Sequence, residues 1–343
     1  MNNEMKKILI LHTGGTFGMD MEKKSVSIQN SSHLLNPLLR HVPEISAIAQ
    51  IEIQIICNID SSNATEQLWI DIANAIKENW TQFDGFVVIH GTDTMAWSTS
   101  ALAYMLEGLT KSVVFTGSQR PLKALRNDAR ANIIDAVELA TYGFPEVMLC
   151  FDSKVHRATR ATKYSNEHLY AFQSYNSPLM GRFGVNFKVN KRLSKPIDEL
   201  KRRPPSLNLK INTNIATLTC VPGVVLNQSF IQSILEDSSG IIIQGFGSGN
   251  LPTENSSWLD LCKGALDRKI PVVMSTQCES GSVCLSLYEN GKVFADLGVI
   301  SALDMTFEAA SVKLMVMLGR KIPFERRLEF FSLPIAFESF GKG

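Results

Sequence analysis

Short apolar runs recur along the chain at intervals that leave room for a helix between them. KKILILH at residues 6–12, IEIQIIC at 51–57, FDGFVVIH at 83–90, KSVVFTG at 111–117 and EVMLCF at 146–151 are bounded by turn residues and rich in Val and Ile. Each predicts a buried strand. Helical spacing fills the gaps at 66–79, 95–106 and 126–142. Such alternation predicts βαβ units and a mostly parallel sheet covered by helices on both faces. In a sheet of that kind the loops leaving the carboxyl ends of the strands carry the ligand site.

The pattern lapses between about Val189 and Asn212 into NKRLSKPIDELKRRPPSLNLKIN, dominated by Lys, Arg and a Pro pair, which reads as a linker. It then resumes with NIATLTC, GIIIQGFG and IPVVMSTQC as strands and with helices near 226–236, 258–268 and 306–318. The expected class is therefore α/β with two α/β domains. A larger N-terminal domain, residues 1–190, is followed by a linker at 191–212 and a smaller C-terminal domain at 213–343.

Composition changes this picture little. A 343-residue chain that is 45% hydrophobic and 20% charged can fill two cores without disulfide or metal staples. A net charge of +1 argues against a polyanion-binding surface, so no nucleic-acid partner is expected. The six cysteines form no CxxC pair and several lie in apolar runs, as small hydrophobes do, which suits a reduced cytoplasmic protein. The N-terminal run ILIL is too brief for a signal peptide or a membrane span. No His pair has metal-ligand spacing, so no metal site is expected.

Candidate chemistry gathers at strand ends. HTGGTFG carries Thr13 and Thr16; CNIDSSNAT carries Asp60, Ser61 and Ser62; IHGTDTMAW carries Thr92, Asp93 and Thr94; RATRATKYS carries Thr162 and Lys163. Taken singly, each set reads as helix caps and tight turns. Taken together they belong to one edge of one sheet and should converge in one crevice. The glycines lack both G-x-G-x-x-G and G-x-x-x-x-G-K-[ST] spacing, which leaves a nucleotide site unsupported. A threonine nucleophile needs a partner that draws off its proton. Lys163 held by Asp93 could supply that partner, and the set would suit acyl transfer from an amide or ester.

These motifs, with VVFTGSQRPL, FGSGN and STQCESGSV further along, run from about residue 6 to residue 320 in one order. The chain resembles the bacterial-type L-asparaginases, and within them the cytoplasmic type I branch. The resemblance implies hydrolysis of L-asparagine to L-aspartate and ammonia without a cofactor. It implies Thr16 as nucleophile, through an acyl-enzyme, with Thr92, Asp93 and Lys163 as the second catalytic set. Asp60, Ser61, Ser62, Thr92 and Asp93 would grip the substrate, with Ser118 close to its side-chain amide. It further implies a homotetramer of two close dimers, with residues 281–288 of the C-terminal domain reaching a neighbour's site.

Two departures qualify the match. Many relatives carry a tyrosine in the loop after TGGT, but residues 17–32 contain none. Tyr288 is the expected substitute and Tyr164 the second choice; a structural strand role is the other reading of Tyr288. Thr162 and Cys278 match an allosteric asparagine site, but Gln244 stands where an arginine occurs in regulated relatives. A Gln lacks the charge and fork of Arg, so cooperativity by asparagine is not expected. Two alternatives for function share the fold. One is a non-catalytic amino-acid-binding regulator, motivated by the missing tyrosine. The other is an ammonia-supplying amidotransferase subunit, for which a first strand beginning near residue 6 leaves no room for the usual N-terminal extension.

Overall fold

The computed structural model describes residues 5–18, 32–191, 204–254 and 256–340. Most of the tyrosine-free loop and residues 192–203 of the expected linker lie outside the described residues. Contacts divide the chain into two compact units, Met1–Leu209 and Lys210–Gly343.

The first unit contains β1 (Lys7–Gly14), β2 (Gln50–Ile59), β3 (Gly85–Ile89), β4 (Leu106–Glu107), β5 (Val113–Thr116) and β6 (Val147–Phe151). It continues with β7 (Lys154–Arg157), β8 (Thr162–Lys163), β9 (Phe172–Gln173), β10 (Gly181–Arg182), β11 (Lys188–Val189) and β12 (Ser206–Leu207). Its helices are α1 (Ser32–His41), α2 (Ile45–Ile48), α3 (Glu66–Glu78), α4 (Met95–Met105) and α5 (Ala129–Thr141). The main sheet has the order β11-β10-β7-β6-β5-β3-β1-β2. From β2 to β6 the neighbours are parallel, and beyond β6 they are antiparallel. The mostly parallel sheet expected from the alternation is present, with an antiparallel edge added.

Every residue of β3, β5 and β6 is buried, which is why these strands read as unbroken apolar runs rather than alternating ones. Ile8, Ile10, Val87, Ile89 and Val114 share one core with Ile133, Ala136, Val137 and Ala140 of α5. Helix α4 is buried almost all round, so its MAWSTSALAYM sequence shows no polar face. Strand β1 sends the chain to β2 on one side and receives β3 on the other, so the strand order reverses between β1 and β3. Such a switch point leaves a crevice outside the carboxyl ends of the two strands.

The end of the expected linker is not free chain. Ser206–Leu207 pairs antiparallel with Leu106–Glu107, and Asn208 N–H donates to Met105 O at 2.9 Å. The second unit holds β13 (Ile215–Thr219), β14 (Gly240–Gly245), β15 (Val272–Thr276) and β16 (Ile300–Ser301), parallel and in sequential order. Its helices are α6 (Gln228–Asp237), α7 (Ser257–Asp267), α8 (Glu289–Leu297), α9 (Phe307–Gly319) and α10 (Arg327–Ser332). Alternate residues of β14 serve opposite cores. Ile241 and Ile243 pack with Ile231, Leu261 and Phe294, while Ile242 packs with Leu314, Met317 and Phe331. Among the described residues no helix is long and apolar enough to cross a membrane.

Burial holds three histidines of the first unit neutral. His12 and His90 are pushed down to about 4 by desolvation. His156 is pushed down to about 3, by desolvation first and then by Lys154 and Arg182. Below pH 6.5 the unfolded chain protonates these positions while the folded chain resists. Stability is therefore full above about pH 6.5 and falls by up to about 1.4 kcal/mol per pH unit for each histidine as pH drops towards 4. Asp135, raised to about 6, and Asp128, also raised, both chiefly by burial, act in the opposite sense and offset part of the fall. Urea unfolding at pH 7, 6 and 5 should show a falling midpoint, and His156→Gln should flatten the fall; equal midpoints at pH 7 and 5 would refute the account.

Candidate active site

The switch-point crevice is built by backbone contact. Gly15 follows β1 with φ +81°, and a Cβ there would lie 2.6 Å from Gly91 Cα and 2.7 Å from Gly91 N. Gly91 follows β3, and its own Cβ would lie 2.6 Å from Ser61 Oγ and 2.7 Å from Ser61 Cβ. Only glycine tolerates such approaches. The loops after β1, β3 and β2 are thereby stacked edge to edge, which places Thr16, Thr92 and Asp60–Ser62 on adjoining turns.

Secondary contacts fix each turn. Gly15 N–H donates to Ile59 O at 3.1 Å, and Thr94 Oγ1 donates to Ser61 O at 2.7 Å. Thr16 opens a single 3-10 turn, Thr16–Gly18, and Phe17 immediately after it is only 1% exposed within the core. Burying a phenylalanine stabilises by about 1.5–3 kcal/mol, enough to anchor that turn. Thr13 is different: its Oγ1 donates to Ile89 O at 3.0 Å in the buried sheet, a structural use.

The turn after β3 hangs on a directed chain of hydrogen bonds. The indole N–H of Trp69 donates to Ser98 Oγ at 2.9 Å, and Ser98 Oγ lies 3.0 Å from His90 Nε2. His90 Nδ1 lies 2.7 Å from Gly91 O. An indole only donates and a carbonyl only accepts, so a neutral His90 must carry its proton on Nδ1 and accept from Ser98. The chain ends by holding the carbonyl of Gly91, next to Thr92.

Charge enters from the β8–β9 ladder. Lys163 Nζ donates to Thr92 Oγ1 at 2.8 Å and to Asp93 Oδ1 at 2.6 Å. The lysine side chain is 15% exposed and the aspartate 64%. Thr92 Oγ1 also donates to Gln119 Oε1 at 2.9 Å. Gln119 lies two residues beyond Gly117 on the loop after β5, a residue that sequence reasoning did not single out although it quoted the motif. Ser118, between them, is 1% exposed, and its Oγ has no hydrogen-bond partner among the described residues. Asp60 Oδ1 accepts from Ser62 N–H at 2.9 Å and Ser62 Oγ at 2.8 Å, and these bonds lower its pKa.

Tyr164 follows Lys163, and its ring joins a stack with His168 and Tyr170, at 6.4 and 6.0 Å between centroids. Thr162 lies in β8 of the first unit. Gln244 and Cys278 belong to the second unit, at the carboxyl end of β14 and just after β15. Gln244 Oε1 accepts from Thr219 Oγ1 at 2.9 Å, and Cys278 is exposed. Tyr288 precedes α8 and is 58% exposed.

The backbone stacking has a direct consequence. Ser61 is 4% exposed and cannot withdraw from an added methyl at position 91. Gly91→Ala should destabilise the fold by about 1–3 kcal/mol through overpacking. Gly184→Ala is the control, since its Cβ would meet nothing nearer than 3.8 Å. Thermal melts should show a lowered Tm for the first and an unchanged Tm for the second.

Residues 7–195 match the asparaginase N-terminal domain and residues 214–331 the glutaminase/asparaginase C-terminal domain. The chain is 35% identical to L-asparaginase 1 of Escherichia coli over 328 residues, covering 94% of each protein. The thermostable L-asparaginase from Thermococcus kodakarensis superposes with a TM-score of 0.85 at 31% identity, covering 98% of this chain and 100% of that one. L-asparaginase I from Vibrio cholerae superposes with a TM-score of 0.82 at 35% identity, with 97% and 99% covered. Two matched domains and whole-length similarity in sequence and structure lead to one conclusion: the chain belongs to the asparaginase family.

Proposed function

We propose that the protein hydrolyses L-asparagine to L-aspartate and ammonia, with Thr16 as nucleophile. The observation that carries the reading is the Lys163 ammonium bridging Asp93 and Thr92 beside the Gly15–Gly91 junction. Thr16 Oγ1 attacks the side-chain amide carbon, the C–N bond breaks, and the amine leaves as ammonia after gaining a proton. The resulting β-aspartyl ester is then cleaved by water, which restores the Thr16 hydroxyl. Thr92 and Lys163 serve the proton movements, and the lysine charge favours the oxyanion that develops during attack. The family relatives named as L-asparaginases support this substrate.

Asp60, Ser61, Ser62 and Asp93 are assigned to the substrate's α-ammonium and α-carboxylate. Ser118 is assigned to the side-chain amide. Its buried, unpartnered hydroxyl supports that role, because such a group costs about 1–3 kcal/mol unless something pairs with it. The enzyme needs no cofactor in this scheme and works in the cytoplasm. The missing loop hydroxyl is supplied by Tyr288 of a second copy, within a homotetramer of two close dimers whose contact includes residues 281–288. The exposure of Tyr288 in a single chain leaves it available for that task.

Purified protein should release ammonia from L-asparagine. Thr16→Ala or Thr92→Val should lower kcat by about a thousandfold or more. Full activity in Thr16→Ala would remove the nucleophile assignment. Tyr288→Phe should lower kcat by about tenfold or more, and sedimentation should give a tetramer; a fully active monomer would defeat the shared-site assignment.

A further inference from the structure

Gln119 has both ends of its amide committed. Its Nε2 donates to Ser165 O and His168 O, each at 3.3 Å, and its Oε1 accepts from Thr92 Oγ1 at 2.9 Å. Two carbonyls on one side determine which way the amide faces, since a reversed amide would set oxygen against oxygen. Thr92 must therefore be the donor to Gln119. A hydroxyl has one proton and two lone pairs, so Lys163 must donate to Thr92 rather than accept from it. One Thr92 lone pair remains uncommitted.

The Gln119 backbone is held just as firmly. Asp128, 8% exposed, accepts from Gln119 N–H at 2.9 Å, Arg120 N–H at 3.0 Å and Asn132 Nδ2 at 3.1 Å. Asn132 Nδ2 also donates to Gly117 O at 3.0 Å. The loop after β5 is thus tied to the start of α5, and the side chain spans from that loop to the segment following Lys163.

We infer that Gln119 is a positioning residue: by accepting a hydrogen bond from Thr92 Oγ1 it orients that hydroxyl so that Lys163 donates to it and a lone pair stays open to the reacting groups. The inference rests on the proposed role of Thr92 and deepens it. In the resting site the Thr92 proton points away from Lys163, so a transfer from Thr92 to a neutral lysine requires the bond to Gln119 to break first.

The test uses the full chain and ammonia release from L-asparagine, with Tm measured for every variant. Gln119→Met keeps side-chain length and removes the acceptor, and should lower kcat about 5–100-fold while KM stays within about threefold. Gln119→Asn withdraws the acceptor but retains an amide, and should show the same loss should the Met variant not fold. Gln119→Glu keeps an oxygen for Thr92 but sets oxygen against the Ser165 and His168 carbonyls. It should lower Tm yet recover kcat to within about fivefold of wild type. A Glu variant no more active than the Met or Asn variant would mean that the segment tether, not the Thr92 proton, matters, and would overturn the inference. So would wild-type kcat in Gln119→Asn, or a raised KM with kcat unchanged. Wild-type kcat in Thr92→Val would instead sink the proposed function, whatever the Gln119 variants do.

Discussion

The N-terminal unit turns on a contact in which side chains are absent. Gly15 lies against Gly91, and Gly91 lies against Ser61, with the imagined Cβ atoms closer than any real one could be. That spacing lets three strand ends meet at the place where strand order reverses. Everything polar in the candidate site is arranged around it. Thr16 is pinned between the Gly15 contact and buried Phe17, and Thr92 between Gly91 and the partners of its own hydroxyl. The close approach thus sets the spacing of the turns that carry Thr16, Thr92 and Asp60–Ser62.

Around this contact the polar networks divide by purpose. The Trp69–Ser98–His90–Gly91 chain is buried, uncharged and complete at every link, as buried polar groups must be. The Lys163–Asp93 pair is open on the aspartate side, where screening makes an ion pair worth little to stability. Its value lies in holding a positive charge against the Thr92 hydroxyl. The neutral network braces the turn after β3, and the half-exposed pair presents charge at its surface.

Much of this was legible in the sequence because it is local. Apolar runs bounded by turns, unbroken in β3 and β6 and alternating with polar residues in β2 and β13, give β1, β2, β3, β5, β6, β13, β14 and β15, and the four polar strand ends follow directly after several of them. What was not legible depends on long-range placement. The two-residue strands β10 and β11 are too short to show a period, and α8 lies in a stretch whose apolar spacing is weak. Gln119 became visible only when the loop after β5 was brought beside Thr92, which is 27 residues away in sequence. Nothing in SQRPL distinguishes that glutamine from a surface residue.

The hydroxyls at the strand ends sharpen the point. Thr13, Thr94 and Thr116 each donate to a backbone carbonyl, so these hydroxyls build the frame. Ser118 sits in the same tier, as buried as Thr13 and Thr116, yet its oxygen has no partner among the described residues. A buried hydroxyl without a partner carries a desolvation cost, and Ser112 Oγ just before β5 carries the same one, so it is position at the carboxyl edge that sets Ser118 apart. Within the carboxyl edge of the sheet the paired hydroxyls hold strand ends in place, and the bare one at Ser118 is the group that the proposed contact with the substrate amide would satisfy.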